Sequence, residues 1–265
     1  NRLPDGTVSR HVGGMWPVSN ESRYLWGDDM FMGVTLLSRL ATALPTDEWI
    51  EGLNWAASQV VNISLYQRDP VDKLYAHGYD HEEYGRSCCK WGRANGWGMM
   101  GKTEILRAYE QVGVDHPKVD RSLYAHVLQL FQEHSTAMAK VQAADDGRWH
   151  QVLNETSTYL ETSVTAMTTF ALATGLRYHW LNETAFSSIV EQAWQGIAKT
   201  VASDGEVNGI CMGTGIQPNV KVRAHTSSLP FGSLILLVDR LSHDVVRRHT
   251  KNDPQITCHH LTVDL

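Results

Sequence analysis

Trp26-Gly27-Asp28-Asp29 is the first stretch whose residue types and spacing could do chemistry. A carboxyl group beside an indole in a closed cleft keeps its proton more readily, as general acid catalysis requires. The plainer alternative makes Asp28 a helix N-cap and Asp29 a first-turn acid favoured by the helix dipole. Further on, Tyr75-Ala76-His77-Gly78-Tyr79-Asp80 sets a histidine in a loop with an acid close by, and such a histidine is more often structural. Trp91-Gly92-Arg93-Ala94-Asn95-Gly96-Trp97 holds a guanidinium between two indoles, Trp91 and Trp97. Arginine there pairs with carboxylates, and indole faces stack on sugar rings or cations. His150 and Gln151 follow Trp149 as another polar pair beside an aromatic residue. Together these side chains would line a pocket suited to an acidic sugar.

These residues must be positioned by something periodic. Loops beginning at Trp26, Trp91, Tyr159 and Val222 lie 65, 68 and 63 residues apart, and each is followed by apolar-striped segments. The third and fourth loops read Tyr159-Leu160-Glu161-Thr162-Ser163 and Val222-Arg223-Ala224-His225. Such a period predicts stacked helical hairpins with their loops gathered on one face. Apolar spacing predicts helices over 30–44, 47–66, 95–112, 118–141, 160–178, 184–202 and 226–241, the second opened by Thr46-Asp47-Glu48. Strands are expected only as small loop hairpins near Arg148–Val152. The first helix of each pair carries the small residues Gly33, Gly98, Gly101, Ala166, Ala171 and Gly232, which suits an inner ring with the second helices outside. The expected fold is therefore all-α: an (α/α) toroid, in its usual form an (α/α)6 barrel of six hairpins. Three pairs and an extra helix are counted here, so the N-terminal hairpins are expected to be lacking from this chain, either because it is an incomplete copy or because the ring is closed another way. Residues 1–241 read as the barrel domain and 242–265 as a polar tail.

The 265 residues carry a net charge of −6, with no basic stripe to offset it, so a nucleic-acid partner is not expected. No apolar run is long enough to span a bilayer, so no membrane partner is expected either. Sequons at Asn20, Asn62, Asn154 and Asn182, with a start at Asn1 rather than Met, point to a processed, secreted, extracellular glycoprotein of a eukaryote, a fungus in particular. Adjacent Cys88 and Cys89 are not expected to bond to each other, while Cys211 and Cys258 form a candidate pair. Despite 13 histidines there is no His-Glu-x-x-His or Cys-x-x-Cys pair, and His259-His260 falls in the tail. No metal or organic cofactor is expected, and phosphate loops, dinucleotide fingerprints and Gly-x-Ser-x-Gly elbows are missing.

In order, Trp26 to Gly33, Tyr75 to Asp80, Trp91 to Trp97, Trp149 to Val152 and Tyr159 to Ser163 resemble family 105 of the glycoside hydrolases, the unsaturated rhamnogalacturonyl hydrolases, with family 88 a cousin. The resemblance covers residues 1 to about 241. It implies an (α/α)6 barrel that removes the Δ4,5-unsaturated uronic acid from the non-reducing end of lyase-generated oligosaccharides. By this resemblance Asp28 is the general acid/base. His77, Trp91 and Arg93 hold the unsaturated sugar, with Arg93 near its carboxylate and Trp26 stacked alongside. Trp97 and His150 complete the expected binding residues. The family's second important aspartate, on an earlier inner helix, has no counterpart among the 27 residues before Asp28. The implied chemistry is hydration of the C4=C5 bond, which needs one acid/base rather than the usual pair of carboxylates. Other readings are a different (α/α)6 glycosidase using Asp28-Asp29, such as an endo-mannanase-like protein, and an inactive carbohydrate-binding remnant. Whether the uronyl group is of galacturonyl or glucuronyl origin, and the oligomeric state, are left open.

Overall fold

The computed structural model describes residues 2–11, 23–82 and 85–216. The expected helix 226–241, Asn20, Cys258 and the 242–265 tail lie outside these. Six of the expected helical segments form, the first of them in two pieces: α1 (Asp29–Met32) and α2 (Thr35–Ala43), separated at Gly33 and Val34. They are followed by α3 (Asp47–Gln67), α4 (Gly92–Val112), α5 (Arg121–Lys140), α6 (Thr162–Arg177) and α7 (Glu183–Ala198).

Their composition decides which are inside. α4 and α6 are buried on nearly every side, and their apolar and small residues (Ala94, Met99, Ile105, Val164, Ala166, Ala171) let neighbours pack around them. α5 and α7 bury a single stripe and present charge to solvent, as outer helices should. Inner helices α2, α4 and α6 pack side by side, with α3, α5 and α7 behind them. Gly101 permits the tightest approach, because a Cβ there would run into the carbonyl oxygen of Met30. That contact brings α1, and so Asp28, against α4.

The loops contain more strand than the periodicity shows. Short strands β1 (Arg10–His11), β2 (Arg23–Trp26), β3 (Gly78–Asp80) and β4 (Gly85–Arg86) form an antiparallel sheet in that order. The expected loop hairpin is β5 (Trp149–His150) paired with β6 (Leu160–Glu161). Strands of two to four residues are too short to show alternation in the sequence. Cys88 and Cys89 are joined as a disulfide, contrary to the sequence expectation; fully buried Cys89 sits in the turn entering α4, its carbonyl accepting from the His77 N–H. Among the described residues no helix is long and apolar enough to cross a membrane.

Lys102 is the one lysine of α4, and it is fully buried, with no hydrogen-bond partner for Nζ among the described residues. Its ammonium lies 4.4 Å from the centre of the Tyr75 ring, a cation–π contact that offsets part of the burial. Desolvation, with a smaller push from Arg68, lowers it from 10.5 to about 7. Burial likewise holds the neighbouring His134 well below its usual range, with Lys102 and Arg68 adding to the effect. Between about 7 and 10.5 the unfolded chain keeps a proton that the folded chain has released, so Lys102 makes stability rise with pH there. Denaturant melts across that window should show a slope of up to about 1.4 kcal/mol per pH unit from this group. Lys102→Met should abolish that slope and be the more stable protein at the acid end.

Candidate active site

Backbone pairing between loops builds the site. In the β2–β3 register Trp26 faces Gly78, and Gly27 N–H donates to the His77 carbonyl at 2.8 Å. Asn95, buried in the first turns of α4, bonds both the N–H and the carbonyl of Tyr75, at 2.8 and 2.9 Å. The 75–80 loop is thereby fixed between the first loop and α4. The entrance to α4 is tied in turn to the third loop, since Gly92 N–H donates to the Gln151 carbonyl at 2.9 Å.

Asp28, His77, Trp26 and Trp91 converge at this junction. The Trp26 indole N–H donates to His77 Nε2 at 2.6 Å, so that nitrogen is the acceptor and carries no proton. Asp28 Oδ2 lies 3.6 Å from the same nitrogen, a contact without a shared proton. Asp28 occupies the N-cap position of α1 but makes no side-chain capping bond, and its buried Oδ2 has no hydrogen-bond partner among the described residues. A buried carboxylate oxygen left out of every structural bond is the exception among folded proteins and calls for another role. Asp29 does the structural work beside it: Arg10 grips it with two nitrogens, Nε to Oδ2 at 2.9 Å and Nη2 to Oδ1 at 2.6 Å.

The aromatic residues around the site are each packed against a protein partner. Trp91 is 3% exposed, its ring 4.4 Å from His77 and 5.4 Å from the Arg93 guanidinium. It sets the spacing of histidine and guanidinium rather than offering an open stacking face. Trp26 carries the Arg10 guanidinium over its ring at 4.7 Å. Trp97 packs on Phe31 at 4.8 Å in a cluster with Met100, Met167 and Phe170. His150 donates through Nδ1 to the Thr158 carbonyl at 2.5 Å and belongs to the β5–β6 hairpin. Trp149 is core, fully buried with its N–H on the Met138 carbonyl.

Arg93 is held from below. Its Nε donates to Ser163 Oγ at 2.9 Å, one terminal nitrogen donates to the Cys211 carbonyl, and Glu161 Oε1 is 3.5 Å away. Asn95 and Glu161 were not singled out as site residues from the sequence, although both sit inside the motifs quoted above. Their signal was the repeat itself, since each occupies the loop-to-helix junction of its unit. Among the described residues no group of three or more His, Cys, Asp or Glu could hold a metal ion.

Both the sequence and the fold of this chain are matched in known proteins. A family model described as Glycosyl Hydrolase Family 88 matches residues 6–238. The chain belongs to that family. Among its relatives, the unsaturated rhamnogalacturonyl hydrolase YesR of Bacillus subtilis is 26% identical over 201 residues, covering 74% of this chain and 52% of that protein. An unsaturated 3S-rhamnoglycuronyl hydrolase from an Alteromonas species is 27% identical over 193 residues, or 71% and 44% of the two chains. The chain spans about half the length of the curated relatives it matches. The fold is shared with a possible GH105 member from Salmonella enterica, at a TM-score of 0.77, 22% identity and coverage of 94% of this chain and 62% of that one. An unsaturated glucuronyl hydrolase from a Bacillus species superposes at 0.61, with 14% identity, over 88% of this chain and 62% of that one. The described part of this family 88 chain is therefore an arc of the (α/α)6 toroid.

The two adjacent aspartates can be told apart by stability. Asp28→Asn should leave thermal stability within about 0.5 kcal/mol of the parent, because no cap or ion pair is lost. Asp29→Asn, which breaks the partly exposed Arg10 fork, should lower it by up to about 1 kcal/mol. A thermal melt of each variant checks the pair.

Proposed function

We propose that this protein hydrolyses unsaturated uronyl oligosaccharides, releasing the Δ4,5-unsaturated uronic acid from the non-reducing end with Asp28 as the general acid/base. The observation that carries the reading is the Asp28 carboxylate itself: it is 21% exposed, makes no cap, and has Oδ2 unbonded beside His77. Family membership and the printed activities of the relatives point the same way, and they set this chain apart from other (α/α)6 glycosidases.

In this mechanism protonated Asp28 delivers its proton to C4 of the vinyl ether, and positive charge develops at C5, shared with the ring oxygen. Water adds at C5 and gives its proton back to the Asp28 carboxylate. The resulting hemiketal opens, the ring collapses, and the glycosidic bond breaks without attack at C1. The net change is addition of one water, with the acid regenerated. His77, with its Nε2 lone pair taken by the Trp26 indole, holds that indole beside Asp28 and shapes the pocket for the unsaturated sugar. Arg93 supplies the positive charge for the uronate carboxylate. Trp97 and His150 would contribute further contacts to the bound sugar.

We place the protein outside the cell as a glycoprotein. Asn154 and Asn182 are exposed, while Asn62 is half-buried on α3. Asn182 uses Oδ1 to cap α7 through the Ala185 N–H, and that bond leaves Nδ2 for a glycan.

The conjugated double bond absorbs in the ultraviolet and is destroyed by hydration. Incubation with lyase-generated disaccharides from pectin and from glucuronate polymers should therefore bleach that absorbance on one of the two sets. Asp28→Asn should lower kcat by about 100-fold or more with the fold intact. A flat trace from folded parent protein on every substrate would overturn the proposal.

A further inference from the structure

Residues 208–216 run as a strap across the candidate site. At one end Thr162 donates its N–H to the Gly209 carbonyl at 2.9 Å and its hydroxyl to the Asn208 carbonyl at 2.6 Å. In the middle Cys211 packs with Trp91 and Ala94, its Sγ accepting from Gln151 Nε2 at 3.0 Å and its carbonyl accepting from Arg93. At the other end the Ile216 side chain fills the space that a Cβ on Gly78 would need, one residue from His77. The strap thus touches the loops that carry His77, Arg93 and Glu161.

One group joins the strap to the arginine. Glu161 is fully buried at the N-cap of α6, where its carboxylate accepts from Ser163 N–H at 3.1 Å and Val164 N–H at 2.8 Å. Capping alone would be served by a shorter Ser, Thr or Asp. The longer side chain also accepts from the Cys211 N–H at 2.9 Å and from the Ser163 hydroxyl, which is itself the acceptor of Arg93 Nε–H. Every proton around the carboxylate points at it, so the arrangement needs an ionised acceptor on both oxygens. Among the described residues Arg93 Nη1 makes no hydrogen bond, while its other nitrogens are committed to Ser163 and Cys211.

We propose that Glu161 is the positioning residue of this site, latching the 208–216 strap in place and fixing Arg93 so that its remaining nitrogen meets the carboxylate of the sugar. The part concerning the sugar rests on the function proposed above; the latch does not. Glu161→Gln keeps the shape but turns an amide N–H₂ towards the donors, so one edge of the network must open.

Two measurements on the full chain test this. In hydrogen–deuterium exchange, Glu161→Gln should speed exchange of the 208–216 amides by about tenfold while the interior of α6 is unchanged. In kinetics on the unsaturated disaccharide that the parent consumes, KM should rise about tenfold with kcat changed less than about threefold. On the methyl ester of that disaccharide, parent and variant should differ little, and in an Arg93→Gln background Glu161→Gln should have no added effect on KM. Unchanged strap exchange would overturn the latch. Equal losses on acid and ester would overturn the role towards Arg93. Should Glu161→Gln not fold, Ser163→Ala removes only the hydroxyl between Arg93 and Glu161, and a severalfold KM rise confined to the acid is expected. A parent inert on every unsaturated substrate would sink the proposed function, whereas the exchange experiment would still decide the latch.

Discussion

Backbone hydrogen bonding between successive loops is the constraint on which the rest of this site depends. Helical hairpins supply the scaffold, but a helix entrance fixes only the direction in which a side chain leaves. Here Gly27 bonds to His77, His77 to Cys89, Gly92 to Gln151 and Thr162 to Gly209, so each loop is sewn to the next in chain order. The side chains that emerge between these stitches have little freedom left: Asp28 Oδ2 lies 3.6 Å from His77, and Trp91 packs against both His77 and Arg93. Because the strands involved are only two to four residues long, no loop would hold this shape alone.

The division of labour between neighbouring residues follows from this. Asp29 makes the ion pair that binds α1 to β1, and Asp28 is spared. Trp91 keeps His77 and Arg93 apart at a fixed distance, which an exposed platform could not do while also stacking on a sugar. Glu161 satisfies the end of α6 and reaches past it to the strap. In each case the structural partner absorbs the hydrogen-bonding and charge demands of burial, so that the residue facing the cleft is left with unused capacity.

Beneath the loops, the interior is more polar than a helical ring requires. Lys102, Tyr75, His134 and Asn95 lie behind the 75–80 loop, with burial holding the lysine near neutrality and raising the Tyr75 hydroxyl to about 12. Asn95 links His134 to the Tyr75 backbone and so connects this layer to the site above. Stability and site geometry therefore share residues here.

Much of the scaffold was legible in the chain. Apolar spacing located the six described helical segments to within a few residues, because burial of one stripe repeats every three to four positions. The loop repeat placed Asp28, Arg93 and Glu161 at equivalent junctions, while His77 came from a separate loop motif. What periodicity could not reveal was partnership across long separations. That Asp28 would be free of capping, that Trp91 would be enclosed, and that Cys88 and Cys89 would bond were all decided by packing. The sequence by itself determined which segments are helical and where the chemistry-bearing residues enter them, since these depend on neighbours a few positions away. Only the tertiary structure decided which of those residues keep an unused polar atom, because hydrogen bonds such as Arg93 to Cys211 join groups more than a hundred residues apart.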